Sequence, residues 1–133
     1  MTRDKASQLT FSIIRGDNVV NWALGTSLIL VPDFFNRIFF GHEVLSHWIY
    51  IVVGLGLVWF AAWQVETFLK PQKLEVTTLR FSAIMAWLPV LALSAALLGL
   101  GRRMLVLSQV VLWIADLYML LLGGWYWWVG EQL

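Results

Sequence analysis

The stretch SQVVLWIADLYMLLLG, residues 108–123, decides the fold class of this chain. It is apolar enough to belong to a membrane-crossing helix, and it places one acid, Asp116, near its middle. A charge at that depth costs at least about 2.5–3.5 kcal/mol, so this side chain is expected to face protein, water or a partner and not lipid. Gln109, Asp116 and Gly123 recur at heptad spacing, which predicts one polar, small-residue stripe as the packed face.

The composition extends this interpretation to the whole chain. Of 133 residues, 60% are hydrophobic and 13% are charged, whereas a soluble domain is about half apolar and a quarter charged. The net charge of +1 gives no basic surface for nucleic acid. Cysteine is absent from the sequence, which excludes disulfides, thiolate metal sites and iron–sulfur ligation.

Four hydrophobic segments predict an all-α polytopic membrane protein, an antiparallel four-transmembrane-helix bundle. Residues 1–17 are expected to form a cytoplasmic tail, either disordered or lying along the interface. The bundle covers residues 18–133, with spans at about 18–40, 48–69, 79–100 and 104–129. Pro32 is expected to break the first span into two pieces, after which Asp33 and Arg37 can pair at i, i+4.

The basic residues set the expected orientation of these spans. Four spans place both termini on one side of the membrane, together with six of the nine basic residues, namely Arg3, Lys5, Arg15, Lys70, Lys73 and Arg80. Because cytoplasmic segments carry an excess of Lys and Arg, we expect both termini in the cytoplasm, in a bacterial inner membrane.

The depth of the polar residues indicates which of them can meet. At about 1.5 Å of rise per residue, Asp116 lies about 18 Å from either end of its helix, where hydroxyls such as that of Ser94 are natural partners. Asp116 has three interpretations: a ligand or ion site, a structural hydrogen bond that fixes helix register, or a contact to another membrane subunit. A second polar group is expected nearer the cytoplasm, with an ion pair between Glu66 and Arg80 and the further members Asp17, Asn18, Asn21, Gln64 and Ser82.

Trp59, Trp87 and Trp113 lie well inside their spans, away from the interfacial belts in which Trp is common. One interpretation is that they fill the bundle core. The other is that they line a cavity for a flat or long apolar molecule such as a lipid, quinone or pigment, to which Asp116 or Gln109 offers a polar contact.

The third span carries a small-residue surface that predicts close helix association, formed by Ala92, Ala95, Ala96 and Gly99. His42 and His47 lack the spacing and the number of co-ligands of a metal site, so we expect no metal. No nucleophile stands beside a base, so we do not expect an enzyme.

Several features of the chain form a recognisable set: a polar start to the first helix at Asp17 and Asn18, the segment VPDFFNRIFFG at residues 31–41, a glycine-containing second helix, Trp87, and an acid in the fourth helix. In these features the chain resembles small bacterial four-helix membrane proteins of the DoxX-like type. The resemblance implies a four-helix membrane fold. Since DoxX is associated with quinone-linked sulfur oxidation as one subunit of a larger enzyme, it also implies an accessory role, without any catalytic residue.

Two main hypotheses follow from the sequence, and an enzyme that acts on a lipid-soluble substrate is a third, supported only by the buried polar groups. The first is a non-enzymatic integral membrane protein that acts as an accessory subunit or homo-oligomer, with other membrane subunits or a second copy as partners. A lipid, quinone or pigment between the helices is an open part of this hypothesis. The second is a small ion-coupled carrier or pore that uses Asp116.

Overall fold

The computed structural model describes residues 2–133 and is all-helical, with 87% of the chain in helices and no strand in that range. A π-helical turn, Val65–Leu69, extends the third helix, and a 3-10 turn, Gly101–Arg103, joins the last two. The helices are α1 (Arg3–Leu30), α2 (Pro32–Phe40), α3 (His47–Gln64), α4 (Val76–Leu100) and α5 (Val106–Gln132). They form two compact units, Met1–Lys73 and Leu74–Leu133, which are described separately below.

Three helical segments are long and apolar enough to cross a membrane: His47–Leu69, Val76–Arg103 and Val106–Gln132. The helices α1 and α2 meet the same criterion only as a pair, and they are bent by 98° relative to each other. The described chain therefore has three candidate spans, or four if the bent pair counts as one. These helices are compatible with an integral membrane protein, whereas the four-helix bundle stays a prediction.

The first helix begins earlier than the sequence predicted. Thr2 caps α1 by accepting a hydrogen bond from the Lys5 backbone N–H at 3.3 Å. The helix then continues through the polar residues that were expected to form a separate tail. It ends at Leu30 because a residue that precedes proline avoids the helical conformation, and Val31 accordingly has φ −132° and ψ 58°.

The second helix is the short piece expected after the break at Pro32. Proline occupies its first position, where the missing N–H has no cost. Gly41 ends the helix with φ 77°, a conformation that favours glycine, and its N–H bonds to the Arg37 carbonyl at 3.0 Å. Phe35 packs in the small core of this unit with Leu28 and Tyr50.

In the first unit α1 and α3 run antiparallel and meet closely at two glycines. A Cβ atom at Gly25 would lie 2.9 Å from the Gly54 carbonyl oxygen, and one at Gly54 would lie 2.6 Å from the Gly25 oxygen. Gly54 therefore allows a close approach of the two backbones, whereas a Cβ at Gly56 would have nothing within 4 Å. The buried face of α1 is a stripe at helical spacing, consisting of Ala6, Thr10, Ile14, Asp17, Asn18, Asn21, Gly25 and Leu28.

The second unit is an antiparallel hairpin of α4 and α5. Its contacts repeat every seven residues along both helices, since Trp87 lies on Gly123, Ser94 bonds to Asp116, and Gly101 lies beside Gln109. This repeat is the geometry of an antiparallel coiled-coil seam. The stripe of Gln109, Asp116 and Gly123 that the sequence predicted therefore lies along this seam. The helix α4 is continuous through Pro89.

Candidate functional site

Asp116 is the buried acid at the centre of the α4–α5 seam, with 6% of its surface exposed. The Ser94 hydroxyl donates a hydrogen bond to its Oδ2 at 2.6 Å. Its other oxygen, Oδ1, is buried and has no hydrogen-bond partner within residues 2–133. The hydroxyl that the depth argument selected is thus in contact with the acid, and half of the carboxyl group remains open to a further donor or cation.

Gln109 does not join Asp116 in one polar site. Its side-chain amide donates to the Met104 carbonyl oxygen at 3.2 Å, so that it closes the turn that precedes α5. The seven positions between Gln109 and Asp116 separate them by about 10 Å along the helix.

Trp87 is the member of the predicted aromatic set that packs inside the seam. Its ring Cδ1 lies 2.6 Å from the position that a Cβ would take at Gly123, and its indole N–H donates to the Leu120 carbonyl at 3.2 Å. On its other side it meets Trp127 with ring centroids 5.8 Å apart. The absence of a side chain at Gly123 makes room for this ring.

Trp59 and Trp113 are not core residues. Their side chains are 54% and 43% exposed, so the expectation that they fill a core is wrong for both. Neither indole N–H has an acceptor in the part of the chain that the structure describes. The sequence could not reveal this, because periodicity does not say which face of an apolar helix meets another helix.

A second polar cluster joins α1 to α3 around Gln64, which is almost completely buried. The Gln64 amide donates to Asp17 Oδ2 at 2.9 Å, and its carbonyl oxygen accepts from Asn18 at 3.2 Å and from Asn21 at 3.1 Å. Asn18 also donates to the Ala61 carbonyl at 2.8 Å. The sequence grouped these residues correctly. Their mutual hydrogen bonds form a buried polar network that links the two helices.

The remaining members of that predicted group are arranged differently. Glu66 pairs with Lys70 at 2.7 Å, four residues further along the chain, instead of with Arg80. The Arg80 guanidinium lies over the Trp127 ring at 5.1 Å from its centroid. The Ser82 hydroxyl is buried without a hydrogen-bond partner in residues 2–133. The i, i+4 pair within one helix forms because its geometry is local.

The small-residue surface of α4 lies outside the seam. Ala92, Ala95 and Gly99 are exposed, and Ala96 is half-buried. A Cβ at Gly99 would have nothing within 4 Å. The surface is therefore free to meet something other than α5.

Sequence reasoning missed Asn36, whose amide holds the loop between α2 and α3. The signal was present, since a single amide within FFNRIFF must find partners when neighbours such as Phe35 and Phe40 are buried. No group of three or more His, Asp or Glu side chains that could hold a metal ion occurs in residues 2–133.

The fold and these contacts define the class of the protein. It is an all-helical chain with three to four candidate membrane spans and two buried sets of hydrogen bonds between helices, one around Asp116 and one around Gln64. Comparison of the chain with protein-family models, with curated proteins and with solved structures finds no match. The function must therefore be argued from the contacts themselves.

Proposed function

We propose that this protein is a non-enzymatic integral membrane protein that acts by lateral association, as an accessory subunit or as a homo-oligomer. The observation that carries the proposal is the position of Trp59. It follows His47 by 12 positions in the candidate span His47–Leu69, which places it about 18 Å along the helix, near mid-depth. Its side chain is 54% exposed at that level.

An exposed indole at mid-depth is unfavourable in lipid. Trp is enriched at the two membrane interfaces because its N–H finds hydrogen-bond acceptors there, whereas lipid tails offer none. An unsatisfied buried donor costs about 1–3 kcal/mol. A neighbouring transmembrane helix removes this cost if it supplies a carbonyl or side-chain acceptor, and it uses the ring as an anchor.

The surface around Trp59 suits such a helix. Gly56 precedes Trp59 by one helical turn and is exposed. The helix surface is therefore recessed at Gly56, directly beside the protruding Trp59 ring. The exposed small residues of α4, Ala92, Ala95 and Gly99, offer a second surface of the kind that allows close helix approach. Only 11% of the residues in the most apolar stretch of Val76–Arg103 are buried within the chain, which leaves wide helix faces for partners.

The test is the size of the complex that mild detergent extracts from the native membrane. The wild-type protein is expected in an assembly larger than its own 15.2 kDa plus detergent. Trp59→Leu should shift the protein toward the monomer, whereas Trp48→Leu, which removes a 64% exposed Trp at the start of α3, should leave the assembly intact. Equal sizes for the two variants would contradict the proposal. The extract also shows whether a lipid, quinone or pigment is retained.

A second candidate function, an ion-coupled carrier or pore, is favoured by the unpartnered Oδ1 of Asp116. A buried carboxyl oxygen without a donor is a position where a proton or cation can bind. In this case Asp116→Asn should abolish flux across proteoliposomes and leave the assembly intact. Under the association proposal, the same variant changes stability or complex recovery, and there is no flux to lose.

A further inference from the structure

A polar cleft of about 330 Å³ opens where α2 ends and the loop to α3 begins. Its volume lies at the lower end of the range for small-molecule sites, about 300–1,000 Å³. Neither the hydrogen bond of Asp116 nor the network around Gln64 contributes to this cleft. Its lining consists of Asp33, Asn36, Arg37, Gly41, His42 and Glu43.

Asn36, the buried member of the lining, is held by several hydrogen bonds to the loop and to α3. Its amide nitrogen donates to the Leu45 carbonyl at 2.7 Å, and its oxygen accepts from the Leu45 N–H at 3.1 Å and from the Tyr50 hydroxyl at 2.9 Å. Asn36 is therefore a structural residue that fixes the loop against α2. The cleft is formed before any ligand arrives, which lowers the entropic cost of binding.

The walls of the cleft carry the charged side chains of Asp33, Arg37 and Glu43. Asp33 and Arg37 occupy the i, i+4 positions that favour pairing, and the sequence predicted that pair. Within residues 2–133, however, no ion pair or hydrogen bond engages the side chain of Asp33, Arg37 or Glu43. Exposed pairs gain only about 0–1 kcal/mol, so these groups remain available to a ligand at little cost.

The cleft directly precedes α3, the helix that begins the candidate span His47–Leu69. If α3 crosses the membrane, the end of that span where the cleft lies is at the level of the lipid headgroups. Because α1 runs antiparallel to α3, the 98° bend between α1 and α2 then lays α2 along the membrane surface. Phe34 and Ile38 are exposed on the flank of α2 next to Asp33 and Arg37. The helix therefore offers an apolar flank to acyl chains and a charged flank to headgroups.

We propose that this cleft binds a phosphoethanolamine headgroup of a membrane phospholipid. The Arg37 guanidinium takes the phosphate, for which its planar fork of donors is suited. The primary ammonium, which has three N–H donors, bonds to the carboxylates of Asp33 and Glu43. Arg37 against these two acids gives the lining a net charge of −1, which suits a zwitterion and disfavours anionic headgroups.

The neutral form of the His42 ring would suit the same ligand. Its Nδ1 lies 3.0 Å from the Phe40 carbonyl oxygen, which can only accept a hydrogen bond. Nδ1 therefore carries a proton, and in the neutral ring Nε2 is an acceptor. An acceptor complements an ammonium group and not a phosphate.

The experiment is native mass spectrometry of the full chain after exchange into mild detergent with defined lipids. Phosphatidylethanolamine is compared with phosphatidylcholine, whose quaternary amine has no N–H, and with phosphatidylglycerol, which has no amine. We expect the wild-type protein to retain phosphatidylethanolamine about tenfold more strongly than either, the effect of one or two charged hydrogen bonds. Arg37→Gln should lose binding of all three lipids, whereas Asp33→Asn should lose only the preference for phosphatidylethanolamine. Arg103→Gln, an exposed arginine in another loop, is the matched control and should behave as wild type.

Equal retention of the three lipids by the wild-type protein, or an unchanged preference in Asp33→Asn with a wild-type circular dichroism spectrum, would overturn the proposal. Competition with soluble phosphoethanolamine distinguishes the source of the headgroup. Failure of millimolar phosphoethanolamine to displace the lipid supports a lipid ligand, in which the acyl chains on Phe34 and Ile38 add affinity. Complete displacement would overturn the lipid assignment and transfer the site to free phosphoamines. The oligomeric state need not change, so this test is independent of the association proposal.

Discussion

At the residue scale, the contact of Gly25 with Gly54 determines how closely α1 and α3 approach. A side chain on either glycine would collide with the backbone carbonyl oxygen of the other glycine. Membrane helices gain little from hydrophobic burial, because lipid is as apolar as their own side chains. Close backbone packing therefore contributes a large share of their association energy.

Gly54→Ala is expected to destabilise the first unit. The added Cβ would lie 2.6 Å from the Gly25 oxygen, a backbone atom that can move only if the helices separate. Overpacking of this kind costs about 1–3 kcal/mol. The measurement is the free energy of unfolding in mixed detergent, with circular dichroism as the probe of unfolding. Gly56→Ala is the control, since nothing lies within 4 Å of its Cβ position, and it should be neutral or slightly stabilising. Equal losses in both variants would show that the contact between Gly54 and Gly25 does not control the effect.

The hydrogen bond from Ser94 to Asp116 should be worth a measurable coupling energy. Ser94→Ala and Asp116→Asn are each expected to lower stability, and a double-mutant cycle should give a coupling of about 0.6–1.7 kcal/mol, as for other intramembrane hydrogen bonds. Ser27→Ala is the control, because that hydroxyl bonds only to the Ala23 carbonyl of its own helix at 2.7 Å. Additive losses from the two substitutions would show that the bond contributes nothing in the membrane.

Residues also show what the sequence could and could not predict. Asp116, Ser94 and the residues around Gln64 were found because polar groups in apolar helices must seek one another at similar depth. Gly25 and Asn36 were missed, since their roles depend on which helix lies opposite. Trp59 and Trp113 were expected on a packed face and are exposed instead, because an all-round apolar helix carries no periodic signal for its packed side.

At the element scale, the seam of α4 and α5 and the bend between α1 and α2 have different origins. The seam follows from a heptad repeat that is visible in the sequence at Gln109, Asp116 and Gly123. The bend follows from Pro32, whose position was visible while its angle was not. The start of α1 at Arg3 was missed because polar residues outside the membrane can continue a helix without an apolar pattern.

The 98° bend predicts that α2 lies at constant depth in the membrane. Spin labels at Asp33 and at Phe40, introduced one at a time into a sequence without native cysteine, should report the same depth. A helix that continued the direction of α1 would separate the two labels by about 10 Å. Electron paramagnetic resonance with oxygen and nickel relaxation agents measures this depth. A steady change of depth along α2 would refute the bend in the bilayer.

At the scale of the whole molecule, the number of membrane crossings depends on α1. The three longer candidates, His47–Leu69, Val76–Arg103 and Val106–Gln132, each cross once by length and composition. If the bent pair of α1 and α2 crosses as one broken span, the chain has four spans and its termini share one side. If the pair of α1 and α2 is a re-entrant loop, the chain has three spans and its termini lie on opposite sides.

We expect four spans with both termini in the cytoplasm, because the basic residues in the first half of α1 and around the turn after α3 then lie on the side that positive charge favours. Single cysteines at Lys5, Gln132 and Arg103, all exposed positions, should show this with a membrane-impermeant maleimide. Lys5→Cys and Gln132→Cys should react only in inside-out vesicles, and Arg103→Cys only in intact cells. Arg103 and Gln132 flank one span and must differ in either case, which makes them the internal control. Labelling of Lys5→Cys from outside would establish three spans and assign α1 with α2 to a loop that enters and leaves by one face.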